Sequence, residues 1–309
     1  MWQGAIRRAC ENREEILDNI ESMLKEHRFT TSPYKTKVIY EPKRRDIYVL
    51  PFYPDRIVQH AVMNVLTPIW DNMMYFDSYA CRKGKGQHKG SNRCMQFARR
   101  NSYCLKCDIS KFYPNIHHDT LMRIIQKKIK DKDVINLLDN IVRSVGGERN
   151  VPIGNYTSQW LGNMYLNELD TFVKQKLRIK DYIRYCDDFI LFGTKEELMA
   201  VIPALHDFVE HELKLKFSKF DLFPTKRGID FLGYRHFPNG VVLLRKSTAK
   251  RVKKRLKGLV EKVRKGKVSR ESAIGSIEST RGWLRWANTY NLRMFLELDR
   301  KENEIAEIF

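Results

Sequence analysis

The chain predicts a mixed α/β fold of the α+β kind: an antiparallel sheet with helices, followed by a helical, strongly basic C-terminal part. Three observations predict it. Tyr182-Ile183-Arg184 and Phe189-Ile190-Leu191-Phe192 are short apolar runs on either side of Tyr185-Cys186-Asp187-Asp188, the pattern of a tight β-hairpin with two carboxylates at its tip. Upstream, Leu105-Lys106-Cys107-Asp108-Ile109 reads as a buried strand carrying one isolated carboxylate. Beyond Gly240, Val252, Leu256, Leu259 and Val263 recur at helical spacing.

Taken in chain order, residues 3 to 28 alternate charges with Ile6, Ile16, Leu17, Ile20 and Leu24, which predicts one amphipathic helix. Ile57, Val58, Ala61, Val62, Val65, Leu66 and Ile69 predict a second. Gly84, Gly86 and Gly90, interleaved with Arg82, Lys83, Lys85, Lys89 and Arg93, predict a flexible basic loop. It is not a P-loop, since the Lys-Ser/Thr pair and the preceding strand are missing. Asp108 inside an apolar strand is unfavourable unless paired or metal-bound. Asp119, before Leu121, Ile124 and Ile125, is the better candidate for capping the next helix. At the hairpin, adjacent acids with no Lys or His to neutralise them are hard oxygen ligands suited to Mg²⁺, although a solvated Asp-Asp turn is the commoner use of such a pair.

Arg245 to Arg270 holds 13 basic residues and one acid, Glu261. The apolar stripe leaves Lys253, Lys254, Lys257 and Arg264 largely on other faces, as in a helix lying along a phosphate backbone. Ile277, Leu284 and Ala287 accompany Trp283, Trp286 and Tyr290 in a further helix whose aromatics are expected in the core.

Composition agrees with a polyanionic partner: 57 Lys plus Arg against 37 Asp plus Glu give a net charge of +20 on 309 residues. A hydrophobic content of 42% suffices for a core, and the length allows one large or two modest domains. No apolar run near membrane-spanning length and no signal peptide is found, so a soluble, cytoplasmic protein without a membrane partner is expected. Six cysteines are thinly spread. Cys104 and Cys107 have zinc-knuckle spacing but lack a second pair, so reduced thiols are expected.

Asp108 with Tyr113, then Pro152-Ile153-Gly154-Asn155-Tyr156-Thr157-Ser158-Gln159, then Tyr185-Cys186-Asp187-Asp188, together resemble the ordered motifs of a reverse transcriptase palm. Arg45-Asp46-Ile47 through Leu50-Pro51 to Asp55-Arg56-Ile57-Val58-Gln59-His60 resembles the first fingers block, and Ser78-Tyr79-Ala80-Cys81-Arg82-Lys83-Gly84 the second. Leu215-Lys216-Phe217-Ser218-Lys219 and Phe231-Leu232-Gly233-Tyr234 resemble the last palm blocks. The pattern departs from the common one at Ile153, where most reverse transcriptases carry Gln, and at Gln159, where they carry Pro. In both it is similar to the enzymes of diversity-generating retroelements of bacteria and phages, a likeness that Gly282-Trp283-Leu284-Arg285-Trp286-Ala287-Asn288 extends more softly.

The resemblance implies a right-hand polymerase fold, with fingers and palm over residues 1–239 and a basic helical thumb over 240–309. It implies that Asp108 and Asp187, with Ile109 in the metal set, hold two Mg²⁺ ions roughly 3.5–4 Å apart, with Mn²⁺ as a substitute, and that Asp188 helps position them. Lys43, Arg45 and Arg82 would meet the incoming triphosphate, Tyr113 would pack under its sugar, Ile153 would lie near the nascent pair, and Gly154 and Gln159 would belong to the nucleotide-binding set. Lys219 would approach the triphosphate. Lys250, Arg251, Lys253, Lys254, Lys257 and Arg264 would bind nucleic acid. The implied partners are template RNA, primer and cDNA, deoxynucleoside triphosphates and a small basic oligomeric accessory protein. The implied activity is error-prone copying of a template-repeat RNA opposite adenine, which diversifies a target gene in a bacterial or phage-infected cell. Retron, group II intron-derived and phage-defence reverse transcriptases are the alternatives within the class, and a silent RNA-binding scaffold the alternative outside it. No RNase H, endonuclease or maturase domain is expected after the thumb.

Overall fold

A computed structural model describes residues 3–40 and 44–308. In chain order its elements are α1 (Gln3–Glu11), α2 (Arg13–Lys25), β1 (Lys35–Tyr40), β2 (Arg44–Val49), α3 (Ile57–Met73), α4 (Gln87–Arg100), β3 (Tyr103–Ile109), α5 (Phe112–Asn115), α6 (His118–Lys128), α7 (Lys132–Arg143) and α8 (Tyr156–Thr171). There follow β4 (Asp181–Tyr185), β5 (Asp188–Gly193), α9 (Lys195–Asp207), β6 (Phe217–Pro224), β7 (Ile229–Phe231), β8 (Tyr234–His236), β9 (Val242–Leu244) and the helices α10 (Lys246–Leu256), α11 (Leu259–Arg264), α12 (Arg270–Leu284), α13 (Tyr290–Leu296) and α14 (Leu298–Ala306). The chain forms two compact units. The first comprises Met1–Lys85, Lys106–Leu191 and Met199–Asp221, the second Gly86–Leu105, Phe192–Leu198 and Leu222–Phe309.

In the first unit, strand segments follow the order β4-β5-β3-β6, so β3 and β5 are central neighbours. The hairpin β4–β5 forms where the apolar runs predict it, and Tyr182, Ile183, Phe189, Ile190 and Leu191 are all fully buried. Helix α8 is enclosed nearly all round, with twelve of its sixteen residues buried, among them the polar Thr157, Ser158, Asn163, Asn167 and Asp170. It packs on α3 and α6. β1 and β2 pair antiparallel from Lys35↔Val49 to Tyr40↔Arg44. The expected single helix over 3–28 is two helices broken at Asn12. Ile20 is buried with Phe29, Val58 and Ile141, with Ile16 and Leu24 packed against them, whereas Ile6 and Leu17 are exposed. Asp119 lies in the first turn of α6 rather than at its cap. His117 occupies the cap, its ring nitrogen accepting from the Thr120 N–H.

In the second unit the expected flexible basic loop proves to be loop only as far as Gly86. Residues 87–100 form α4, with Gly90, Ser91, Cys94, Met95, Phe97 and Ala98 buried on one face and Lys89 and Arg93 turned elsewhere. α4 packs on β7 and β8, and the Ser91 hydroxyl meets His236 Nε2 at 2.7 Å. β7-β8-β9 are antiparallel, with Phe231 opposite Tyr234. Leu232 and Gly233 take positive φ in that turn, and a Cβ on Gly233 would stand 2.6 Å from the Trp283 ring, so only glycine fits there. Val252, Leu256, Leu259, Val263, Ile277 and Leu284 build the helical core, as their spacing predicts. The helix is interrupted at Gly258, whose φ is +63°, and the aromatic-rich helix ends at Leu284. Trp286 and Tyr290 are therefore exposed instead of buried, Tyr290 to 76%. The six basic candidates Lys250, Arg251, Lys253, Lys254, Lys257 and Arg264 are all exposed. No helix among the described residues is long and apolar enough to cross a membrane.

Candidate active site

The candidate catalytic residues all lie in the first unit. Asp108 is the penultimate residue of β3, Asp187 lies in the β4–β5 turn, and Asp188 opens β5. The sheet order thus sets Asp108 and the acidic turn on adjacent strands. Burial raises the Asp187 carboxyl above its ordinary range, and the negative charge of Asp108 raises it further. The positive charge of Arg45 acts in the opposite direction, so the guanidinium on β2 and the Asp187 carboxylate feel one another. Asp188 is pushed up to about 6, mainly by burial, against the opposing charge of Lys106.

Lys106 corrects the expectation of an unneutralised acid pair. Its Nζ donates to Asp188 Oδ2 at 3.1 Å, and its side chain is largely buried. Side chains alternate along a strand, so Lys106 and Asp108 share a face of β3, and the cation reaches the acid pair from the neighbouring strand. Asp108 Oδ2 accepts from Ser218 Oγ at 2.6 Å. Lys106 and Ser218 are thus functional neighbours that sequence spacing could not identify, because their partners lie 82 and 110 residues away.

With Asp188 and Asp108 each turned toward such a donor, no group of three or more His, Cys, Asp or Glu side chains among the described residues forms a ready-made metal centre. The donor chemistry still fits divalent magnesium. The three side chains are hard carboxylates, two of them repel each other, and Asp188 Oδ1 is buried without a hydrogen-bond partner among the described residues. Ile109 ends β3 with its side chain buried.

Tyr113 lies on α5 and packs against Phe112. The Cys186 thiol donates to its hydroxyl at 3.7 Å, which ties the ring to the acidic turn. Burial pushes this phenol far above its ordinary range and raises the Cys186 thiol to about 12. Gly162 on α8 makes room for the ring, since a Cβ there would come within 3.0 Å of it. Gly154 sits at φ +123° against β2, and the Ile153 carbonyl accepts from the Tyr48 N–H at 2.8 Å. These contacts lock the 153–154 turn to the strand bearing Arg45. Beside Gly154 lies a cavity of about 300 Å³ lined by residues including Lys37, Tyr48, Arg56, His60 and Tyr156. Gln159 is exposed on α8 and Lys219 exposed on β6.

Arg82 is put to a different use from the one its motif implies. Its guanidinium donates to the Asp71 carboxylate and to the carbonyls of Asp71, Tyr75 and Ser78, and only 7% of the side chain is exposed. Four of its five N–H donors are engaged in holding its own loop. Lys43 lies outside the described residues.

Acidic residues on two adjacent central strands, with the charge of Arg45 from the β1–β2 hairpin acting on one of them, make up the candidate site. The family model described as reverse transcriptase (RNA-dependent DNA polymerase) matches residues 43–236, and the chain belongs to that family. It is 26% identical over 234 residues to protein YkfC of Escherichia coli K12, covering 60% of this chain and 61% of that protein. It is 24% identical to the group II intron-encoded protein LtrA of Lactococcus lactis, covering 86% of this chain and 54% of LtrA. It is likewise 24% identical to the retron Ec73 reverse transcriptase of E. coli, covering 56% and 58%. The chain therefore spans little more than half the length of these relatives. Among solved structures, telomerase of Candida albicans in complex with a telomeric RNA fragment aligns with a TM-score of 0.56 at 13% identity, over 92% of this chain and 56% of that one. The right-hand polymerase fold is thus shared.

Proposed function

We propose that the chain is an RNA-directed DNA polymerase of the diversity-generating type, extending a primer on a template-repeat RNA with deoxynucleoside triphosphates. The juxtaposition of Asp108 and Asp187 carries the polymerase reading: two carboxylates that repel each other at the ends of adjacent strands need cations between them. Asp108, Asp187 and the Ile109 main chain would hold Mg²⁺, or Mn²⁺ in its place, and Asp188 would help position it. When bound, two such ions would supply the charge that activates the primer 3′-hydroxyl and stabilises the leaving pyrophosphate.

The protein's own groups do the positioning on which phosphoryl transfer depends. Ser218 and Lys106 orient Asp108 and Asp188. Arg45 would take the triphosphate, and exposed Lys219 could donate a proton to pyrophosphate. Tyr113 would exclude a 2′-hydroxyl. In the second unit, the exposed lysines and arginines from Lys250 to Arg264 would bind phosphates without reading sequence. The fingers-and-palm to thumb boundary at 239/240 and the basic accessory protein belong to this reading too.

The diversity-generating assignment rests on Ile153 and Gln159. Ile153 replaces a side chain that could hydrogen-bond near the nascent pair, and a site without that bond discriminates less. The test is Mg²⁺-dependent primer extension on an RNA template containing all four bases, with Asp187→Ala as control and the cDNA sequenced. Extension lost in the control, with errors gathered opposite adenine and reduced in Ile153→Gln, is the expected result. Accurate copying would instead support an intron-type or retron-type enzyme, the reading favoured by the names of LtrA and the Ec73 enzyme. No extension with a cognate RNA and basic partner present would favour the silent scaffold.

A further inference from the structure

We propose that Arg184 and Asp170 are positioning residues that hold the turn carrying Asp187 and Asp188; the inference rests on reading those carboxylates as catalytic. The turn is one that a residue with a side chain enters reluctantly. Cys186 sits at φ +56°, in the left-handed region. Such a conformation persists where its surroundings over-determine it.

One guanidinium supplies that constraint. Arg184 and Asp170 are both fully buried. Arg184 Nε and Nη2 donate to the two Asp170 oxygens at 2.7 and 2.6 Å, a bidentate fork that fixes the plane of the group. This leaves Nη1 aimed at the turn, where it donates to the Cys186 carbonyl at 3.1 Å and to Asn163 Oδ1 at 3.2 Å. Asp170 and Asn163 both project from α8, and Tyr182 adds a 2.7 Å bond to Asp170. The Arg184 main chain is bound as well: its N–H donates to the Asp77 carbonyl, and its own carbonyl accepts from the Tyr79 N–H. Asn163 donates in turn to the Ala80 carbonyl at 2.9 Å. Helix α8, the 77–80 segment and the acidic turn therefore meet at Arg184.

An apolar pair of similar volume could fill the same space. It could not donate to the Cys186 carbonyl. Because Arg184 is wholly shielded, it cannot touch substrate phosphates, and its influence on the reaction runs through the turn.

Two variants test this: Arg184→Met combined with Asp170→Leu, which removes both charges, and Arg184→Lys, which keeps the pair but loses the fork. Each is followed by amide hydrogen exchange at residues 185–189 in metal-free protein, by primer–template affinity, and by kcat and KM for the deoxynucleotide. The double variant is expected to fold and to bind primer–template within about twofold, while melting below the wild type because Tyr182 and Asn163 each lose a bond to the pair. Its turn amides should exchange roughly tenfold faster, and kcat should fall about 10²-fold with little change in KM. Arg184→Lys should fall between the two. Wild-type exchange and kcat in a folded variant would overturn the proposal. Failure of Arg184→Lys to fold would also overturn it, by making Arg184 a requirement for folding rather than for aim. Faster exchange alongside an Asp187→Ala protein that still extends primers would uphold the positioning and sink the catalytic reading beneath it.

Discussion

Gly154→Ala tests how tightly β2 is locked to the 153–154 turn. Gly154 lies at φ +123°, a conformation that side-chain-bearing residues rarely adopt, and an added Cβ would stand 2.4 Å from the Tyr48 carbonyl oxygen and 3.1 Å from Ile47 Cγ2. Contacts below 3.0 Å are essentially never seen for a real Cβ, so turn and strand must part by more than half an ångström. The hydrogen bond from the Tyr48 N–H to the Ile153 carbonyl, 2.8 Å long, then stretches beyond useful length. Backbone strain of about 1–3 kcal/mol and a lost hydrogen bond of about 1 kcal/mol together give a destabilisation of roughly 2–4 kcal/mol. At about 2–4 °C per kcal/mol for a chain of this order of size, Tm should fall by roughly 10 °C. Because β2 also carries Arg45, single-nucleotide incorporation should slow by about 10²-fold even well below the melting range. The control is Gly146→Ala, where φ is +76° but nothing lies within 4 Å of the added carbon, so strain alone is introduced. Calorimetry and pre-steady-state incorporation on the two variants decide the matter. Equal losses in both, or wild-type incorporation in Gly154→Ala, would refute the close-approach argument.

Arg82→Lys should cost about 2–3 kcal/mol of stability, because a lysine cannot reproduce the four bonds to Asp71, Tyr75 and Ser78, while leaving the nucleotide KM near wild type. A tenfold or greater rise in KM with unchanged Tm would return Arg82 to the triphosphate. Tyr113→Ala should admit ribonucleotides, raising their incorporation relative to deoxynucleotides by roughly tenfold or more; an unchanged ratio in a competition assay would show that the ring only packs. Mg²⁺ should raise the melting temperature of the wild type, by an amount equivalent to about 2.7 kcal/mol at a hundred times its Kd. The rise should be larger in Lys106→Met, where the ion replaces the lost cation beside Asp188, and absent in a protein lacking both Asp108 and Asp187. Equal rises in all three, measured by differential scanning fluorimetry, would place the bound metal elsewhere.

The acidic hairpin was legible because two carboxylates interrupt otherwise apolar strands, a local signal that period and polarity carry together. β3 was legible for the same reason. α4 was not: Gly90 and the basic residues around it resemble loop composition, whereas Gly90 is buried and the charges lie off the buried face. At α6 the sequence offered an aspartate as cap, but His117 stands at the boundary and takes the bond. The exposure of Trp286 and Tyr290 depends on where α12 stops, and element ends are set by packing as much as by local sequence. Lys106, Ser218, Asp170 and Arg184 illustrate a deeper limit. Their roles lie in pairings across the sheet or against α8, and nothing local marks a lysine in a strand as the partner of an acid 82 residues later.

The interleaving of the two units bears on how the chain is made. α4 leaves the ribosome long before β7 and β8, the strands against which it packs. At about 5–20 residues per second the delay is on the order of ten seconds. Through that interval α4 lacks the two strands it packs on, which leaves the kind of surface that holding chaperones occupy. By the same connectivity, the C-terminal helices cut near residue 240 make up only part of their compact unit. A graft of those helices alone would leave out the 86–105 segment that completes their unit, and a chimera that keeps the unit whole would carry both pieces.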